Sequence, residues 1–225
     1  MSVVCIIPAR GGSKRIPRKN VALFHGRPMI SWSIKAAFET DLFDRIVVST
    51  NDQEIADVAR TEGADVPFLR PEKLADDYTP TVPVISHAIE TLALQADAAV
   101  CCLYATAPLV RAEDIRAGYS LLENADSVMA ITSFAFPIQR GLRYSKNGTV
   151  QMLYPEHLLT RSQDLEETWH DAGQFYWARA SLWSSGRSLI GPGAKGLPLP
   201  RYRVQDIDTP EDWARAEVIF TSVQD

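Results

Sequence analysis

The residues best suited to chemistry stand near the two ends of the chain. Between Ala9 and Asn20 runs Ala-Arg-Gly-Gly-Ser-Lys-Arg-Ile-Pro-Arg-Lys-Asn, which places five cations within ten residues. Gly11 and Gly12 let backbone amides approach an anion closely, Ser13 adds a hydroxyl, and Arg10, Lys14 and Lys19 can neutralise a triphosphate. The spacing is neither the Walker pattern nor Gly-x-Gly-x-x-Gly. A basic run of this kind is commonly a solvated loop. The buried strand expected before it and the paired glycines favour phosphate binding.

Near the other end stands Asp206-Ile207-Asp208-Thr209-Pro210. In an extended segment residues two apart point the same way, so both carboxylates can face one cation. Magnesium takes hard oxygen ligands, typically one or two carboxylates completed by substrate phosphates. The competing use for Asp208 is to favour the N-terminus of the helix that follows, worth about 0.3–1 kcal/mol. A pair of this type also occurs in metal-dependent glycosyltransferases, normally after a mid-chain strand, whereas Asp208 lies 17 residues from the end of this sequence.

Positioning these groups requires a layered α/β domain. Val3 to Pro8 is an apolar, β-branched run of the kind found in strands buried on both faces. Further strands are expected at Arg45–Thr50, Ala64–Leu69, Ala98–Tyr104, Ser127–Thr132, Gly173–Ala178 and Tyr202–Val204. Helices are expected at Pro28–Phe38, Asp52–Glu62, Thr81–Leu94 and Glu113–Leu122, and a last one opens at Thr209-Pro210-Glu211-Asp212. This alternation predicts right-handed crossovers and a mostly parallel sheet in three layers, with ligands bound beyond the carboxyl ends of the strands. Residues 135–170 break the rhythm, with a hairpin turn expected at Lys146-Asn147-Gly148. They read as an excursion from one domain spanning 1–225.

Bulk properties narrow the function. The length is 225 residues, with 46% hydrophobic and 23% charged residues, ordinary for a globular protein with a full core. The net charge of −5 argues against nucleic acid as the partner. Seven basic residues precede the first acidic one, Glu39, which points to a local anion site on an acidic body. No apolar run approaches the roughly 18–20 residues that span a membrane. The start lacks the basic flank of a signal peptide, and three cysteines, two adjacent, make no disulfide framework. Buried, reduced thiols and a cytoplasmic location are the expectation.

The basic loop resembles the nucleotide-binding signature of the sugar-acid cytidylyltransferases, the family of CMP-sialate and CMP-Kdo synthetases. Matches continue through Phe43-Asp44-Arg45-Ile46-Val47-Val48-Ser49-Thr50 and Leu69-Arg70-Pro71-Glu72-Lys73-Leu74-Ala75-Asp76-Asp77 to the C-terminus. The resemblance implies a Rossmann-like nucleotidyltransferase fold that binds CTP, Mg²⁺ and an acidic nine-carbon keto sugar, and a homodimer joined through the excursion. Arg10 and Ser13 would hold the triphosphate, Lys19 would support it, Asn20 would read cytosine and Arg70 would lie near the nucleoside. Ala9, Gly11, Gly12, Lys14 and Thr79 complete the nucleotide set, and Asp206 and Asp208 would ligate the metal. With Arg10 and Lys19 these two aspartates form the catalytic set.

The sugar set comprises Thr81, Tyr104, Thr106, Arg140, Arg161, Gln174 and Tyr176, with Arg161 reaching the acid from the neighbouring subunit. Where sialate-using members carry Gln-Pro-Thr-Ser-Pro, this chain has Tyr104-Ala105-Thr106-Ala107-Pro108, and Arg-Pro-Asn-Gly is replaced by His170-Asp171-Ala172-Gly173. An aromatic wall in place of an amide changes which stereoisomer leaves polar groups unpaired. These segments, together with Phe136-Pro137-Ile138-Gln139-Arg140 and Gln174-Phe175-Tyr176-Trp177, resemble the pseudaminate-using branch of the family. His170 and Asp171, as neighbours in an extended segment, face opposite ways and do not form an acid–base pair.

Overall fold

The computed structural model describes residues 1–223. In chain order the elements are β1 (Val3–Pro8), β2 (Leu23–Phe24), β3 (Arg27–Pro28), α1 (Met29–Phe38), β4 (Arg45–Ser49), α2 (Gln53–Thr61), α3 (Thr81–Thr91), β5 (Ala99–Leu103), α4 (Ala112–Leu121), β6 (Ser127–Ser133), β7 (Leu142–Tyr144), β8 (Val150–Met152), β9 (Trp169–Arg179), α5 (Ala180–Trp183), β10 (Ala194–Pro198) and α6 (Pro210–Val223). Six strands form one sheet in the order β10-β6-β9-β5-β1-β4. All neighbours run parallel except β9, which is antiparallel to both β5 and β6.

Alternate residues of β1 serve opposite faces. Cys5 and Ile7 pack with Ile30, Ile34, Ile55 and Ile115 from α1, α2 and α4. Val4 and Ile6 pack with Ile85, Ala88 and Trp183 from α3 and α5. The result is the expected three-layer α/β architecture, and the three cysteines are free and buried within it. A third cluster lies at one end. There Phe24, Met29, Leu109, Ile207, Ala216 and Phe220 clamp α6 against the β2–β3 hairpin.

Three expectations are corrected. Ala64–Leu69 makes only the isolated bridges Val47–Asp65 and Thr50–Leu69, because Pro67 between them has no N–H to donate to a ladder. Tyr202–Val204 is not a strand. Arg201–Arg203 forms a 3₁₀ turn, in which buried Arg203 pairs with Asp114 at 2.6 Å. The last strand is instead β10 at the sheet edge, where Lys195, Gly196 and Pro198 are tolerated because only one side is paired.

The return strand begins at Trp169 rather than Gly173 and carries a large bulge. Tyr176 pairs with Met129 and Asp171 with Ile131, so five residues of β9 advance against two of β6. Gly173 sits in this bulge at φ +62°. The excursion holds the expected hairpin, β7 paired antiparallel with β8 and turned at Gly148, as a sheet separate from the main one.

Candidate functional site

The basic loop leaves the carboxyl end of β1 and is anchored at once, the Ala9 amide donating to the Ser49 carbonyl at 2.9 Å. The Gly11 amide donates to Asn51 Oδ1 at 3.2 Å. A Cβ on Gly11 would stand 2.5 Å from Asp52 Oδ2, so the loop passes too close to the cap of α2 for any side chain. Gly12 has open space around it. Ala9, Gly11 and Gly12 therefore shape the loop, and its longer side chains face a cleft.

That cleft measures about 560 Å³ and is lined by Arg10, Ser13, Lys14, Arg15, Lys19, Asn20, Arg70, Thr79, Thr81, Tyr104, Thr106 and Asp208, among others. All the side chains expected to touch nucleotide are thus brought together. Arg70 is 5% exposed, and its Nε has no hydrogen-bond partner among the described residues. Burial, then repulsion from Arg10, lowers its guanidinium pKa to about 10. Such a group favours a site for an anion. Asn20 is buried and fixed by donation from Nδ2 to the Arg10 carbonyl at 2.9 Å.

Of the acidic pair, Asp208 lines the cleft and Asp206 stands outside its lining. Ile207 is fully buried in the α6 cluster, which turns Asp206 and Asp208 away from the core on either side of it. Helix capping belongs to other groups: Asp212 Oδ2 accepts from the Thr209 amide at 2.8 Å, and Thr209 Oγ1 accepts from the Asp212 amide at 3.2 Å. Asp208 instead meets Arg15 at 2.9 Å and Lys19 at 3.4 Å, and Lys19 also donates to the Ile207 carbonyl at 2.5 Å. Asp206 is an exposed residue, yet partial desolvation and then repulsion from Asp208 raise its carboxyl pKa. A divalent cation bound there would relieve that repulsion. Among the described residues no group of three or more His, Cys, Asp or Glu is placed to hold a metal, so the protein offers at most these two carboxylates. This donor set fits a magnesium ion that takes its remaining oxygens from phosphate and water.

Asp76 and Asp77 end the matched segment, but sequence reasoning gave them no role. Arg10 donates to the Asp76 carbonyl and to Asp77 Oδ1, both at 2.7 Å, and Lys14 pairs with the same Asp77. Asp76 Oδ1 accepts from the Tyr78 and Thr79 amides at 2.9 and 2.6 Å, and from the Thr79 hydroxyl. These bonds, led by the hydroxyl of Thr79, lower its pKa. The signal was present as an aspartate three residues before a threonine at the mouth of a helix.

The sugar set divides. Thr81, Tyr104 and Thr106 line the cleft. Thr81 Oγ1 and the Tyr104 hydroxyl lie 2.9 Å apart, and the rings of Tyr104 and Tyr176 are 5.3 Å apart. Tyr176 lines an adjoining side pocket of about 220 Å³. Burial raises the pKa of both phenols. Gln174 is buried, its Nε2 donating to the Arg203 carbonyl at 2.9 Å, and faces the protein rather than the cleft. Arg140 and Arg161 lie on the excursion, where Arg140 donates to the Thr160 carbonyl and Arg161 pairs with Asp164 at 2.7 Å. Neither lines the cleft of its own chain. His170 and Asp171 diverge as expected: His170 packs on Phe134, while Asp171 accepts from Tyr176.

Known proteins resemble this chain in sequence and in fold. The family described as Cytidylyltransferase matches residues 4–189. A pseudaminic acid cytidylyltransferase of Campylobacter jejuni is 42% identical over 98% of this chain and 97% of its own length. A CMP-N,N'-diacetyllegionaminic acid synthase of Legionella pneumophila is 34% identical over 98% and 97% of the two chains. A solved CMP:2-keto-3-deoxy-manno-octonic acid synthetase in complex with CTP superposes with a TM-score of 0.74 at 15% identity, covering 99% of this chain and 100% of that one, a likeness of fold.

Proposed function

The chain belongs to the cytidylyltransferase family, and on that premise we propose that it transfers CMP from CTP to the anomeric hydroxyl of pseudaminic acid, releasing pyrophosphate. The observation that carries the nucleotide half is Arg70, a buried cation lining the cleft whose Nε has no hydrogen-bond partner among the described residues. The 42% identity to a pseudaminate enzyme over nearly the whole chain supports the acceptor.

The anomeric oxygen forms a bond to the α-phosphorus while the bond to the pyrophosphate oxygen breaks. Arg10, Lys14, Ser13 and the loop amides hold the leaving pyrophosphate and neutralise its growing charge. Asn20, fixed by Arg10, offers its amide to the base. Lys19 ties the phosphate loop to the acidic segment through Ile207 and Asp208, which keeps the two halves of the site in register. Asp206 and Asp208 would hold Mg²⁺, which when bound offsets charge on the phosphate oxygens. The hydroxyl proton passes to water or to a carboxylate of the pair. The excursion at 135–170 serves as a dimerisation arm.

The test is pyrophosphate release by the purified protein with CTP and Mg²⁺, offering pseudaminic acid, N-acetylneuraminic acid and Kdo in turn. Release with pseudaminic acid alone, abolished by EDTA and restored by added Mg²⁺, is the expected result. Release with a different sugar alone would overturn the acceptor assignment and keep the chemistry.

A further inference from the structure

The bulge in β9 brings together two side chains that a regular strand would separate. Residues 171 and 176 are an odd number apart and would face opposite sides of a sheet. In this protein the Tyr176 hydroxyl donates to Asp171 Oδ2 at 2.6 Å, and the Gly173 amide donates to Asp171 Oδ1 at 2.8 Å. Asp171 is thereby held at the wall of the side pocket, which adjoins the main cleft through their shared residues Thr81 and Tyr104. Val82, Met129, Trp183 and Leu189 give the pocket apolar walls, and among the described residues Asp171 is the only charged side chain lining it.

A carboxylate presents about four lone-pair positions. Two are satisfied by Gly173 and Tyr176, and the exposed carboxylate leaves the others for a donor. The side pocket therefore suits a substituent with an apolar end and one N–H. We infer that Asp171 is a specificity-determining residue that accepts a hydrogen bond from an acylamino N–H of the sugar acid. This rests on the proposed function, since the acceptor must reach the side pocket from the cleft. An ester or hydroxyl at the same position either gives no N–H or gives a donor at a different distance. The site then loses a charge-assisted bond and holds an unpaired carboxylate lone pair.

The experiment compares kcat/KM for pseudaminic acid acylated on both nitrogens with two analogues, each having one acylamino group replaced by the acyl ester. Wild type should disfavour one ester at least tenfold, a ratio set by a single charge-assisted hydrogen bond. Asp171→Asn should bring that ratio close to one while the KM for CTP stays unchanged, because the amide removes the charge and leaves one acceptor oxygen, already engaged by Gly173 or Tyr176, beside an NH₂ donor. Tyr176→Phe should keep the discrimination. Equal loss of discrimination in Y176F and D171N would overturn the inference, since Asp171 would then act only by holding Tyr176. Discrimination below tenfold in wild type for both esters would overturn it without any variant. If wild type releases no pyrophosphate from CTP with pseudaminic acid, the proposed function itself fails, a result distinct from turnover without discrimination.

Discussion

A guanidinium that is 5% exposed and forms no ion pair among the described residues has lost hydration for only the smaller, through-space attraction of Glu72. The folded protein therefore holds Arg70 at an energetic cost that a bound triphosphate would offset. Arg70→Met should leave the protein as stable or more stable, by about 1 kcal/mol, while CTP affinity falls at least tenfold. Thermal melting and CTP titration read the two effects separately, and a lowered melting temperature would show that Arg70 is structural. The glycines give a second contrast. Gly11→Ala drives a Cβ into the Asp52 cap and should weaken CTP binding by moving the loop off its anchor at Asn51. Gly12→Ala meets no protein atom within 4 Å and should leave the melting temperature unchanged, so a fall in its CTP affinity would read directly the close approach of phosphate to this backbone.

Secondary elements that depend on periodicity were legible in the residues, and those that depend on tertiary pairing were not. The apolar run of β1 and the Thr209-Pro210 opening of α6 follow from local patterns, and both are where the spacing puts them. The acidic pair was legible because one apolar residue, Ile207, separates two aspartates. The bulge of β9 had no local signature. Its extra residues exist only in relation to β6, and Gly173 alone hints at the positive φ. The edge strand β10 escaped notice because Ala-Lys-Gly-Leu-Pro has little strand propensity and is held by one neighbour. Arg203 was assigned to a strand, although its role is to pair with Asp114 on α4 while its carbonyl receives Gln174. Both partners are largely buried, and this ion pair with its neighbouring bond ties the segment before the acidic pair to α4 and β9. Asp114→Ala should cost about 2–3 kcal/mol, the penalty for leaving a mostly buried cation alone, read as a shift of the urea midpoint at constant slope. An unchanged midpoint would show that Arg203 turns out to solvent instead.

At the scale of the whole molecule the excursion is unexplained by one chain. Leu142, Tyr144, Val150, Leu158 and Leu159 are exposed on it, Leu159 at 93%, and Arg140 and Arg161 stand apart from the cleft of their own chain. In the proposed dimer this apolar arm would be covered, each copy giving the same surface. Under the proposed arrangement each arm carries Arg161 to the partner's cleft, and this yields a test that a merely structural dimer would fail. Arg10→Ala spoils a cleft but leaves its arm intact, while Arg161→Ala spoils an arm but leaves its cleft intact. Each variant alone should be nearly inactive. Mixed and allowed to re-pair, they should regain roughly a quarter of wild-type activity, because half the dimers are then hybrids with one complete site. Leu159→Asp together with Tyr144→Asp should block both pairing and rescue, giving a monomer mass by light scattering. A monomer mass for wild type at micromolar concentration, or no rescue on mixing two dimeric variants, would remove the shared site and leave Arg161 as a surface cation held by Asp164.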